Sequence, residues 1–211
     1  LTDSASVVYC KQLLTIVAGI KMRYLKLVEY CGLAVVAMAI SMGVGYANQQ
    51  KVISELSQED LQCMAVNIYH ESKNQSKLGM IAVARVVVNR VRDRRYPDTV
   101  CGVIYEGPVT ESWKTRQDPN LVDDERIYYP RRDRCQFSWY CDGKSDDIIS
   151  KKNNIAWRLA QDVAIEVLAF DKYNGIVEGA THYHADYVDP AWNKTITLVT
   201  KVDDHIFYRW D

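Results

Sequence analysis

One glutamate in this chain is placed for proton transfer. Leu61, Met64, Ala65, Ile68 and Tyr69 recur at helical spacing and form an apolar stripe. Glu71 follows Ile68 by three residues and Met64 by seven, so it continues that stripe. A carboxylate so placed faces the interior or a cleft floor. Partial burial disfavours its charged form and raises its pKa, as a general acid requires. On spacing alone, a solvated carboxylate at a frayed helix end is the plainer account. A second set of reactive side chains is Cys63, Cys101, Cys135 and Cys141 with His182 and His184. The four cysteines could form two disulfides in any of three pairings, or act with the histidines as zinc ligands. The chain contains no Cys-x-x-Cys or His-Glu-x-x-His pair, so a disulfide framework is the stronger expectation and no metal site is assigned.

These residues must be positioned by a few elements. Ser57 caps a helix that carries Leu61 to His70, with Asp60 three residues on. Lys73 to Lys77 is a polar turn. Leu78 to Val91 is apolar nearly all round and too long for a typical strand, so it reads as a buried central helix, within which Asn89 must find a partner. Tyr96-Pro97-Asp98-Thr99 ends that run. Val100 to Tyr105 reads as a helical turn, Glu106 to Arg134 as a long polar connection, and Cys135 to Gly143 as a compact loop. A further helix, capped by Asn153 or Ser150, places Ala156, Leu159, Ala160, Val163 and Val167 on one face. Thr181 to His184 falls in a loop. Thr195 to Val202 and His205 to Trp210 form a closing hairpin across Asp203-Asp204. The fold class is therefore α+β, mainly α, with a small C-terminal β-hairpin.

The net charge of −1 gives no bulk electrostatic argument for a nucleic-acid partner. Met22 opens a basic start, followed by the apolar run Cys31 to Val44 and the small-residue exit Gly45-Tyr46-Ala47. This is the order of an export signal. The expected organisation is an upstream extension over 1–21, a signal peptide or signal anchor over 22–47, a linker over 48–56, and one folded domain over 57–211. Export would place the domain in the periplasm or cell wall, tethered to the inner membrane through 22–47 if that segment is not removed. The oxidising compartment would favour disulfides.

Five separate segments, in order, carry a family resemblance. They are Asn67-Ile68-Tyr69-His70-Glu71; Ala82 to Val91; Pro97 to Tyr105; Cys135-Gln136-Phe137-Ser138-Trp139; and Gly179-Ala180-Thr181-His182-Tyr183-His184. With these the chain resembles the cell-wall hydrolases related to bacterial spore cortex-lytic enzymes, whose catalytic domain is lysozyme-like. The resemblance implies that 57–211 cleaves peptidoglycan glycan strands, as a lytic transglycosylase or muramidase, with Glu71 as catalytic acid and no cofactor. It departs from the family run Glu-Ala-Arg-Gly-Glu, which here is Glu71-Ser72-Lys73-Asn74-Gln75, so Gln75 stands in place of a second glutamate. Phage-borne members look similar, which implies a phage lysis enzyme.

Around Glu71, Gln136 and Ser138 would hydrogen-bond sugar groups. Phe137, Trp139 and Tyr183 would offer apolar faces to sugar rings. His182, His184 and Asn89 complete the candidate substrate-binding set. A two-carboxylate hydrolase would need a partner for Glu71; Asp98, Asp142, Asp186 and Asp189 lie in loops that could supply one. The competing readings are a non-catalytic wall-binding module and, more weakly, a zinc-dependent wall amidase.

Overall fold

The computed structural model describes residues 57–148 and 154–211; the expected extension, signal segment and linker lie outside the described residues. Helix α1 spans Gln58–Ser72, and Ser57 caps it by accepting from the Asp60 N–H at 3.2 Å. Helix α2 spans Lys77–Val91, capped by Ser76, which accepts from the Gly79 N–H. Helix α3 is the short Val100–Ile104, capped by Thr99. Helix α4 is the single turn Trp113–Arg116, and α5 spans Ile155–Leu168. The cap of α5 is Asn154, one residue beyond the expected Asn153; its side chain accepts from the Trp157 N–H at 3.1 Å.

Helix α2 is buried on all sides, which is why its sequence shows no polar face. On one side Met80, Ile81, Ala84, Val87 and Val88 join Met64 and Ile68 of α1, Val103 and Ile104 of α3, and Ala160, Val163 and Val167 of α5. On the other side Ala82 and Val86 pack with Val177, Ala180, Val202 and Phe207. The Val86-Val87-Val88 run thus stays helical because all three valines gain burial there, which outweighs their small cost in helix propensity.

The C-terminal hairpin is present as β4 (Thr197–Val202) and β5 (His205–Arg209). A third strand, β3 (His182–Ala185), pairs antiparallel with the other side of β5, giving the order β3-β5-β4. Thr181 to His184 is therefore not the expected loop. These residues show no apolar alternation of their own, and His182 to His184 join a strand because β5 supplies the ladder. The 106–134 connection also holds regular structure: β1 (Val109–Glu111) pairs with β2 (Tyr128–Pro130), and Arg126 Nη1 meets Glu111 Oε1 at 2.7 Å beside them.

Two disulfides resolve the open pairing. Cys63–Cys101 staples α1 to α3, and Cys135–Cys141 closes the loop that follows β2. With all four sulfurs bonded to one another, none is a thiolate ligand.

The sheet is docked on the α1–α2 turn by its own β4–β5 turn. Asp203, held at φ 50°, accepts from the Ser76 N–H at 2.9 Å and the Ser76 hydroxyl at 2.7 Å on one carboxylate oxygen. Gln75 donates to Asp204 Oδ2 at 3.0 Å and accepts from the Asp204 N–H at 3.2 Å. Gly79 makes this approach possible: a Cβ there would stand 2.5 Å from Asp203 Oδ2 and 2.8 Å from Gln75 Cβ. Gly79→Ala gains about 1 kcal/mol of helix propensity, but overpacking against the pinned Asp203 costs about 1–3 kcal/mol. We therefore expect a lower melting temperature, by about 3 °C, in thermal unfolding followed by circular dichroism; an unchanged or raised midpoint would show that the turn yields freely.

Candidate active site

Glu71 lies in the last turn of α1, where the carbonyl end of the helix favours a neutral group over an anion. Tyr183 of β3 points the opposite way from its strand neighbours His182 and His184, and its hydroxyl donates to Glu71 Oε2 at 2.8 Å. Burial raises the Glu71 pKa above its usual value; the Tyr183 hydrogen bond and the charge of Arg90 oppose the shift without cancelling it. Burial also pushes the Tyr183 phenol well above its ordinary range, with the neighbouring Glu71 charge adding to the effect. The phenol is therefore a fixed donor at neutral pH.

Arg90, near the end of α2, is the charged group behind this pair, and only 4% of its surface is exposed. Its Nε donates to the Thr181 carbonyl at 2.8 Å, immediately before β3. Its two terminal nitrogens donate to the Gln136 side-chain oxygen at 2.8 and 2.7 Å, with the amide turned to present that oxygen. The rings of Tyr96 and Phe137 flank the guanidinium at 5.4 and 5.3 Å. Asn89 donates to the Ala180 carbonyl at 2.9 Å. Two neighbouring polar residues of α2 thus grip the backbone that leads into Tyr183.

An open cleft of about 700 Å³ runs past Glu71 and is lined by Tyr69, His70, Ser138, Trp139, Tyr183, His184 and Tyr187, among others. A second lobe of about 310 Å³ reaches from the same glutamate toward Gln75 and Asp204. His70, Glu71, Lys73, Ala185, Tyr187 and His205 line both lobes. Trp139 donates its indole N–H to the buried Asn67 at 3.0 Å and stacks on His70 at 4.7 Å, which fixes one cleft wall.

Glu71, Ser138, Trp139 and Tyr183 therefore meet at the cleft; His184 borders it, but its ring lies on the other face of the sheet against Trp192 and Tyr208. Gln136 and Phe137 are instead engaged by Arg90, and Asn89 by backbone. His182 lies on the other face of the sheet between Trp192 and Trp210. His184 donates from Nδ1 to the Ala185 carbonyl at 2.8 Å, so its Nε2 is left to accept from the Tyr208 hydroxyl at 3.0 Å.

Of the four aspartates considered as partners, Asp142 lines the cleft. Its carboxyl accepts from the Lys144 N–H at 2.8 Å and pairs with the Lys144 ammonium, which together hold its pKa below the usual value. Asp186 pairs with Lys201 at 2.6 Å, and Asp189 pairs with Lys194. Asp98 is exposed beside α3. The cleft also holds Asp146 and Asp147, which the sequence reading did not single out. Among the described residues no carboxylate hydrogen-bonds Glu71, and none groups with two or more other His, Cys, Asp or Glu side chains as a metal site would require. Arg90 and His205 were also missed, although an arginine inside an apolar helix was a visible anomaly.

Residues 74–208 match the Cell Wall Hydrolase family, and the chain belongs to that family. The matched span begins just after Glu71. Among curated proteins, a spore cortex-lytic enzyme of Bacillus cereus is 50% identical over 50 residues, which are 24% of this chain and 19% of that protein. Its counterpart from Oceanobacillus iheyensis is 46% identical over 50 residues, covering 24% and 18%. The chain thus spans about a fifth of the length of the curated relatives it matches. Among solved structures it is similar to the catalytic domain of the germination-specific lytic transglycosylase SleB from Bacillus anthracis, at 24% identity and a TM-score of 0.45, covering 74% of this chain and 98% of that one. The catalytic domain of the Bacillus cereus SleB protein gives 25% identity and a TM-score of 0.45, covering 72% and 91%.

Two expectations follow from the geometry. A carboxyl whose folded pKa is raised contributes stability that is full below its unfolded value and is lost as pH rises through the folded one. Glu71→Gln should therefore melt at or above the parent temperature at pH 7, with the difference vanishing near pH 4; a lower midpoint at pH 7 would contradict the burial argument. Tyr183→Phe removes a donor that favours the ionised carboxylate. If Glu71 acts as an acid, the alkaline limb of the pH–rate profile moves to higher pH in that variant, and a shift to lower pH would contradict the assignment.

Proposed function

We propose that this protein cuts the glycan strands of peptidoglycan by the lytic transglycosylase route, with Glu71 as both acid and base. The observation that carries the reading is a glutamate whose pKa is raised by burial at the junction of two cleft lobes, with Tyr183 on one oxygen and no hydrogen bond to the other among the described residues. Family membership supports the wall as target. Sugar units on either side of the scissile bond would occupy the two lobes, with Trp139 and Ser138 along one wall. Glu71 gives its proton to the glycosidic oxygen as the bond from that oxygen to the anomeric carbon breaks. The resulting carboxylate then takes the proton of the sugar's own 6-hydroxyl as that oxygen attacks the same carbon. A 1,6-anhydro ring closes and no water is consumed. The attacking hydroxyl is already part of the bound strand, so its approach carries little entropic cost.

In the same reading the enzyme is exported and acts in a phage lysis programme on the wall of its host, with residues 22–47 as signal or anchor; the export order read in the sequence and the family resemblance support this.

A muramidase-type hydrolysis has one observation in its favour. Asp146 lines the same cleft, and burial raises its pKa despite the nearby His70. Mass spectrometry of fragments released from purified peptidoglycan separates the two routes. Transglycosylation yields fragments lighter by one water that resist borohydride, and fully reducible ends would overturn the proposal and direct attention to Asp146. Glu71→Gln should lower the release rate by about 10² to 10⁴ in either case. A folded Glu71→Gln protein with full activity, or a parent protein that binds walls without releasing fragments, would remove the assignment altogether.

A further inference from the structure

His205 is the first residue of β5, directly after the Asp203-Asp204 turn that is locked to Ser76 and Gln75. Its ring lies on the inner face of the sheet with Tyr183 and Phe207, edge-on to Tyr183 at 5.1 Å. Its cross-strand partner on β3 is Ala185. His205 lines both lobes of the cleft. It is nonetheless 8% exposed, and its Nδ1 is buried with no hydrogen-bond partner among the described residues. Nδ1 is out of reach of any ligand; Nε2 makes no hydrogen bond among the described residues, and it is the nitrogen that a ligand in the cleft can meet.

We infer that His205 is a substrate-contacting residue, whose imidazole hydrogen-bonds an uncharged hydroxyl or acetamido group of the glycan strand lying across Glu71. The inference rests on the proposed reading of the cleft as a glycan site. Burial lowers the pKa of His205, against the opposing charges of Asp204, Asp203 and Asp186 and with the added effect of His184. The shift favours the neutral ring, which has one donor and one acceptor. A sugar hydroxyl offers the same pair, and an acetamido group offers an N–H and a carbonyl. An anionic group on the wall polymer would find a better partner in Lys73, which lines the same two lobes. His205 makes no hydrogen bond to Glu71, so its part is to hold the strand and not to move the proton.

The test uses the full chain carrying Glu71→Gln, which binds without cutting. Co-sedimentation with purified insoluble peptidoglycan gives its affinity. Adding His205→Phe fills the space without hydrogen bonding and should weaken binding about tenfold, the value of one hydrogen bond of ordinary strength. Adding His205→Asn keeps a donor and an acceptor and should stay within about threefold. Melting curves verify that each variant is folded. A folded His205→Phe protein that binds as tightly as its parent overturns the inference. Should that variant fail to fold, the unmodified His205 is read instead: soluble glycan strands added to the Glu71→Gln protein should move the ¹⁵N resonances of its imidazole. Unmoved resonances at saturating strand overturn the inference and leave the glycan site standing. Absence of any wall binding by the Glu71→Gln protein overturns both.

Discussion

Everything at the cleft depends on the burial of α2. An apolar helix packed on every side cannot place polar residues in water, so each one it carries must find a partner inside the protein. Asn89 and Arg90 do so by gripping the Ala180 and Thr181 carbonyls. Those two bonds set where β3 begins, and strand alternation then delivers Tyr183 to Glu71. The interior of the domain and the geometry of the proposed acid are thus one problem, because the helix that forms the core also aims the strand.

The electrostatics of this arrangement is a contest between burial and a buried cation. Arg90 remains charged even though burial pulls its pKa down from the ordinary value, and its charge favours the ionised form of Glu71. Burial of Glu71 is the larger effect, and its carboxyl is raised on balance. One reason is visible in the contacts of Arg90. Its hydrogen bonds go to the Thr181 carbonyl and the Gln136 amide, and none among the described residues goes to Glu71. Were Glu71 paired with the guanidinium itself, the carboxylate would be locked in its charged form and unable to serve as an acid.

Much of the fold was legible because periodicity survives in the sequence where burial is one-sided. The stripe Leu61 to Tyr69, the α5 face and the β4–β5 hairpin all follow from spacing, and Glu71 stood out because it interrupts an apolar stripe with a carboxylate. The rest was hidden for definite reasons. Strand β3 is four residues of His, Tyr and Ala whose order comes from β5, over twenty residues away. Arg90 and Gln136 reveal their roles only as a pair, and 46 positions of chain separate them. His205 reads as an ordinary hairpin residue until the docking of the turn shows which way its ring faces.

Gln75 ties these threads together. The family resemblance marks it as a departure, since a glutamate is usual at that place. Here its amide donates to the Asp204 carboxylate and accepts from the Asp204 N–H at the same time. A carboxylate could make the second contact but would meet Asp204 as a like charge in the first. The substitution is therefore matched to the acidic turn it touches: with Asp203 pinned on Ser76, an amide at 75 lets two adjacent aspartates dock on one helix junction without repulsion from that side. The same docking fixes the start of β5, and with it the position of His205 in the cleft floor. The residue that departs from the family run is, in this fold, a structural contact between the α1–α2 turn and the start of β5.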